Sequence, residues 1–215
     1  MEEDKKQEEI EIKQNITSTA KIYSIENYKI EKRRGTPKKE PKSFAEKMTK
    51  LQEINETTQL PKKSVYGVIL VHNNEFPHVL IHHKQSLTNF RETIPLIGGK
   101  IENGEEPIEG LRQKISKQLG LKEKLNYEIG ELLGTFYRVN YTNRVYPYLP
   151  GHVDGAKEVV LVYMIHISEK CEFSIGEHDT LNSIALFNLH NNTQHYHDVM
   201  CAIPVLVSRY CLIQG

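Results

Sequence analysis

Hydrophobic positions are sparse before residue 64 and recur with strand and helix periods after it. Residues 1–20 are polar and rich in Glu and Lys, which predicts a frayed acidic tail with too little apolar surface to order itself. Lys21–Tyr28 alternates apolar and polar positions and predicts a short strand. Ser43, with Glu46 three residues on, makes a capping box ahead of Phe44, Met48, Leu51 and Ile54 at helical spacing, so a helix is expected there, ended by Pro61. Val65–Val71 is a continuous apolar run of strand length. His72–Pro77 reads as a turn and His78–His82 as the return strand of a hairpin. A loop from Lys84 to Glu92 leads to the short run Thr93–Ile97 and the Gly98-Gly99 pair. After the Asn103-Gly104 turn, Glu105 opens a helix with Ile108, Leu111, Ile115 and Leu119 on one face and Gly120 closing it. Strand-like runs follow at Asn126–Tyr137, Glu158–Ile167 and Ser183–Leu189. A last helix is expected over Tyr196–Cys211, kinked at Pro204. Strands around a central helix with a second helix at the end predict an α/β sandwich. The organisation expected is a tail (1–20), an N-terminal strand, basic arm and helix (21–63), and a main domain (64–215).

Charge changes this picture by its distribution. The 28 Lys+Arg and 28 Asp+Glu of the 215 residues cancel, which excludes a polyanion binder working by bulk charge. Residues 1–63 nevertheless carry a net +3 and the remainder a net −3. Lys29–Lys50 concentrates nine basic residues against Glu31, Glu40 and Glu46, either a solvated arm or one lying along phosphates. No apolar run approaches the ~18 residues of a membrane span, and the acidic start lacks the apolar core of a secretory signal. Cys171, Cys201 and Cys211 lack CxxC spacing and read as reduced thiols. The pairs His82-His83 and His195/His197 have no cysteines at finger spacing, so no metal site is expected.

One spacing carries chemistry. Gly99, five residues, Glu105, seven residues, then Gln113-Lys114-Ile115-Ser116-Lys117-Gln118-Leu119-Gly120-Leu121 resembles the Nudix box Gx5Ex7REUxEExGU, where U is a bulky aliphatic. Gly99, Glu105, Ile115, Gly120 and Leu121 fit. The box arginine is Gln113, and the three later glutamates are Lys114, Lys117 and Gln118. Positions 114, 117 and 118 share one helix face by i, i+3 and i, i+4 spacing. In a Nudix hydrolase that face offers carboxylates to Mg²⁺, a hard cation that wants oxygen. Here it offers two ammonium groups and an amide, so neither Lewis acid nor activated water is expected.

Longer stretches narrow the resemblance. Tyr66–His72, Phe76–Leu80, Gly104–Leu111, Phe136–Tyr141, the run Tyr146-Pro147-Tyr148-Leu149-Pro150-Gly151-His152 and the ending Ile203–Tyr210 resemble the small Nudix subunits of cleavage factor I, from about Ile22 to the C-terminus. The resemblance implies a Nudix α/β/α sandwich with an N-terminal extension and no hydrolysis. It implies binding of single-stranded pre-mRNA at a UGUA element, a homodimer, a larger RRM-bearing partner subunit, and a nuclear protein without cofactor or membrane. Tyr146 and Tyr148 match family tyrosines at the RNA site, and the proline between them favours an extended segment. Lys47 stands where the family has an arginine, keeping the charge but losing the planar fork. Glu40 falls near a base-reading glutamate. Leu96 matches. Two positions depart: Thr93 occupies the slot of a stacking phenylalanine, for which Phe90 is the substitute ring, and Tyr66 replaces a glutamate and lacks its bidentate acceptor. Tyr196, Val199, Ile203 and Leu206 are placed at the dimer interface. Against this reading stand a divergent hydrolase using Glu102, Glu105, Glu106 and Glu109, which the helix dipole alone also explains, and a nucleotide sensor using Lys114 and Lys117.

Overall fold

In the computed structural model the described residues are 18–33, 61–84, 90, 93–123, 125–139, 142, 144–153 and 155–215. The helix expected from Ser43, with Lys47 and Glu40, lies outside them. The longest strands are β3 (Lys62–Asn73) and β6 (Tyr127–Arg138). The run that made β3 legible is buried on both faces, as a central strand requires. Its first half pairs in parallel with β7 (Glu158–Ile167) on one edge and antiparallel with β5 (Ile97–Lys100) on the other. Its second half pairs with β4 (Phe76–Lys84) and, at Val71 and His72, with β1 (Ser18–Ser24). β9 (Asp179–Ala185) flanks β4, β10 (Tyr210–Gln214) flanks β1, and β6 flanks β7. A separate ribbon joins β2 (Lys29–Arg33) to β8 (Glu172–Gly176).

Alternation along β3 divides two cores, as period-2 side chains must. Val65, Ile69 and Val71 face helix α1 (Pro107–Leu119) and meet Leu111, Ile115 and Leu119, each without exposed surface. Val68 and Leu70 face the other way, toward helix α3 (Asp198–Val207) and the turn of helix α2 (Leu186–Leu189), meeting Val199, Ile203 and Leu189. Full burial stabilises each such side chain by about 1.5–3 kcal/mol. The result is the expected three-layer α/β sandwich.

Several boundaries differ from expectation. β1 begins at Ser18, inside the stretch expected to fray, because Ala20 and Ile22 are buried in the core shared with α3. The strand expected over Lys21–Tyr28 ends at Ser24, whose hydroxyl accepts from Glu26 N and caps a 3-10 turn at Ile25–Asn27. The basic stretch begins as β2 rather than as a free arm, and the boundary expected at residue 64 falls inside β3. α1 starts at Pro107 instead of Glu105, since proline suits the first helical position. Gly120 ends it in the left-handed region at φ 71°, as expected. The run Ser183–Leu189 is the end of β9 plus the α2 turn. The last helix is shorter than Tyr196–Cys211, and Tyr210 opens β10.

Candidate functional site

Sheet pairing and α1 assemble a cleft of about 360 Å³ at the Gly98-Gly99 strand. Tyr66, Leu96 and Thr93, three residues expected at an RNA site, line it together, with Ile94 beside them. Gly98, Gly99, Lys100 and Gln118 contribute the side toward the box helix; Arg138, Glu158, His82 and His197 complete the wall. These last four were not named as site residues. Gly98 cannot be larger: a Cβ there would lie 2.1 Å from the Val65 carbonyl, and its φ of 140° disfavours any side chain.

Gln118 explains what became of one box carboxylate. Its Oε1 accepts from Gly98 N at 2.9 Å and its Nε2 donates to Gly98 O at 2.7 Å. The side-chain amide thus pairs with the free edge of β5 as another peptide unit would. A carboxylate accepts but does not donate, so the box glutamate would leave Gly98 O unmatched. Lys117 is exposed, and its carbonyl, with that of Ser174, receives the Arg33 guanidinium at 2.7 and 2.6 Å. One basic residue of the expected arm therefore holds the C-terminal turn of α1. Lys114, Gln113, Glu105, Glu102 and Lys100 border a second cleft of about 450 Å³. Glu105, the surviving box glutamate, accepts from Glu102 N at 3.0 Å and so braces its own loop. The residues do not fit the Mg²⁺ of a Nudix hydrolase. Among the described residues no three His, Cys, Asp or Glu side chains gather for a metal.

Glu158 is buried at the start of β7. Ser64 donates to its Oε1 at 2.5 Å, and Arg138 Nη2 lies 3.2 Å from its Oε2. Burial, with Glu158 adding to it and Arg138 opposing, pushes the Tyr66 phenol up to about 12. Tyr66 is therefore neutral at physiological pH and keeps a hydroxyl proton to donate. Only a charged residue heading an apolar strand marked Glu158 in the sequence; its place in the cleft follows from the parallel β3–β7 register.

The tyrosine pair is held next to the cleft without lining it. Tyr146 bridges to Tyr137, one residue before Arg138, with both backbone bonds made at 2.7 and 2.9 Å. Asp198 accepts from Val145 N and from Arg144, while the preceding His197 lines the cleft and caps α3 through Nδ1. The two rings lie 6.1 Å apart at 50°; Tyr146 is half-buried and Tyr148 exposed. Phe90, the ring expected to substitute at the RNA site, is half-buried. It packs between His83 at 5.1 Å and Tyr196 at 6.2 Å, on the α3 core, outside the cleft lining. Val199 and Ile203 have no exposed surface and pack within this chain, so an interface cannot reach them. Tyr196 and Leu206 are half-buried against the same core, and the exposed apolar residue of α3 is Val205.

Comparison with known proteins decides the family. Residues 18–210 match the Nudix family profile described as nucleotide hydrolase. The chain is 32% identical over 180 residues to cleavage and polyadenylation specificity factor subunit 5 of Dictyostelium discoideum, covering 82% of this chain and 86% of that protein. It is 30% identical over 203 residues to pre-mRNA cleavage factor Im 25 kDa subunit 2 of Arabidopsis thaliana, covering 91% and 96%. The chain belongs to the Nudix-fold cleavage factor Im 25 kDa family. These cleavage factor Im relatives are named as processing-factor subunits and not as hydrolases. Among solved structures, the NUDIX domain of Shewanella oneidensis NrtR, complexed with ADP ribose, is 14% identical with a TM-score of 0.46, covering 77% of this chain and 97% of that one.

Proposed function

We propose that this chain is a non-hydrolytic RNA-binding subunit of the nuclear machinery that cleaves and polyadenylates pre-mRNA, reading a short single-stranded element of the UGUA kind. The observation that carries this reading is the Gln118–Gly98 pairing. At the position of one box carboxylate Gln118 is a structural brace, while the cleft beside it holds a phenol ring, apolar side chains and charged hydrogen-bonding groups. Single-stranded RNA is read by just such parts, with bases laid on rings and their edges hydrogen-bonded. Tyr148, exposed on a loop tied to the cleft wall, supplies a second platform; Lys47 and Glu40, outside the described residues, are further contacts in this reading. A homodimer and a larger RRM-bearing subunit complete the assembly, with Val205 rather than Val199 or Ile203 at the α3 surface of the dimer.

Fluorescence anisotropy against UGUA-containing and scrambled RNA tests the reading, alongside phosphate release from dinucleoside polyphosphates with Mg²⁺. RNA binding without hydrolysis is expected. Mg²⁺-dependent hydrolysis without RNA binding would overturn it. Light scattering that gives a monomer at micromolar concentration removes the dimer, and a pulldown from native extract that recovers no RRM-bearing factor removes the partner.

A further inference from the structure

Glu158 is the one carboxylate among the described residues of the cleft wall, and it is buried. A carboxylate buried in an ion pair is costly to build, and one that lines a cleft asks for an explanation in ligand chemistry. Arg138 meets Glu158 through Nη2, 3.2 Å from Oε2. The Arg138 Nε is also buried and meets no acceptor among the described residues. Both residues line the cleft, an acceptor beside a donor, together with the apolar Leu96 and Ile94. Each carboxylate oxygen has a second lone pair beyond those taken by Ser64 and Arg138.

We infer that Glu158 and Arg138 together select bases with a keto edge, a carbonyl next to a ring N–H, as in uracil and guanine. Arg138 donates to the carbonyl, and Glu158 accepts from the ring N–H. Cytosine and adenine place an unprotonated ring nitrogen where that N–H would be. Two lone pairs would then meet, with a buried carboxylate as one party, and the amino group beside it would face the Arg138 donors. Discrimination therefore comes from repulsion of the wrong edge as much as from attraction of the right one. Tyr66, neutral beside Glu158, cannot substitute for the carboxylate: a phenol donates as readily as it accepts and so tolerates either edge.

The inference rests on the RNA-binding reading, and one experiment separates the two. The full chain is titrated with single-stranded RNAs of about eight nucleotides, made of U, of alternating U and G, of C, and of A. Wild type is expected to prefer the keto sequences by about tenfold or more, within the usual penalty of a mismatched base. In E158Q the side-chain amide can rotate to donate, so the keto-to-amino ratio should fall to within about threefold while binding persists. R138K keeps the charge beside Glu158 but loses the fork, and should weaken U and UG binding more than C and A binding. Thermal melts of both variants report folding, and R138K carries the test alone should E158Q not fold. No RNA binding by wild type overturns the RNA-binding reading. Binding with wild-type keto preference in folded E158Q, or in R138K when E158Q fails to fold, overturns this inference and leaves the other standing.

Discussion

At the scale of single residues, the chemistry turns on whether a side chain can donate as well as accept. Gln118→Glu restores the box residue but removes the donor to Gly98 O. RNA affinity should fall by about tenfold at neutral pH, the consequence of an unmatched, part-buried acceptor. A protonated carboxyl again has one donor and one acceptor, so binding by this variant should recover as pH falls from 7.5 to about 4, through the ordinary glutamate range, relative to wild type at each pH. Flat weakness across that range would show that Gln118 acts by bulk alone. The thiols provide a second check. Cys171 is buried, and burial raises its thiol to about 11; Cys201 is buried and raised too; Cys211 is exposed. A disulfide reagent at pH 7.5 should modify one thiol at once and the other two only on unfolding. The loss of box carboxylates was legible at this scale, because it depends only on residue type at fixed helical spacing. The use made of Gln118 was not, since its partner lies 20 residues away on a strand whose edge only the folded sheet exposes.

At the scale of elements, position was legible where pattern was long. β3 announced itself by a seven-residue apolar run, and β7 and α1 by patterns of ten or more residues. β8 and β10 have five residues each, and the apolar run of β10 continues the pattern of α3, so helix and strand were indistinguishable there. The tyrosine segment shows why a motif does not place itself. Tyr146 and Tyr148 stand out in the sequence, but Asp198, at the start of α3, ties their loop to the cleft wall. Asp198→Ala should therefore reduce RNA affinity by about three- to tenfold with little change in the ring residues themselves. Anisotropy would show this, and faster amide exchange at Val145 would report the released loop. Unchanged exchange together with unchanged affinity would mean that the Tyr137–Tyr146 bridge suffices.

At the scale of the whole molecule, protonation sets the stability window. Tyr66 and Tyr210 are both raised from 10.0 to about 12, Tyr66 by burial and the nearby Glu158, Tyr210 by burial and its hydrogen bond to Glu131. The folded state holds these protons more tightly than the unfolded chain. Their contribution is thus complete below about pH 10 and lost as pH rises toward 12. Glu131 works at the other end: the Tyr210 hydroxyl holds its carboxyl below the usual value, so that contribution is present at neutral pH and lost on acidification through the lowered value. Urea melts across pH should show both flanks, and Tyr210→Phe should flatten both. A variant with unchanged flanks would remove Tyr210 from the account.

The pairing of β1 with β10 has a consequence for how the chain is made. β1 shares two paired positions with β3 but five with β10, from Ser18↔Tyr210 to Ile22↔Gln214. β1 thus waits for a strand far along the chain, Tyr210–Gln214, to complete its pairing. Synthesis proceeds at roughly 5–20 residues per second, and contacts this distant in sequence are slow to form. For many seconds Ala20 and Ile22 lack the strand that pairs with theirs, and a nascent chain stalled short of Tyr210 would present β1 as an open edge to whatever binds extended peptides.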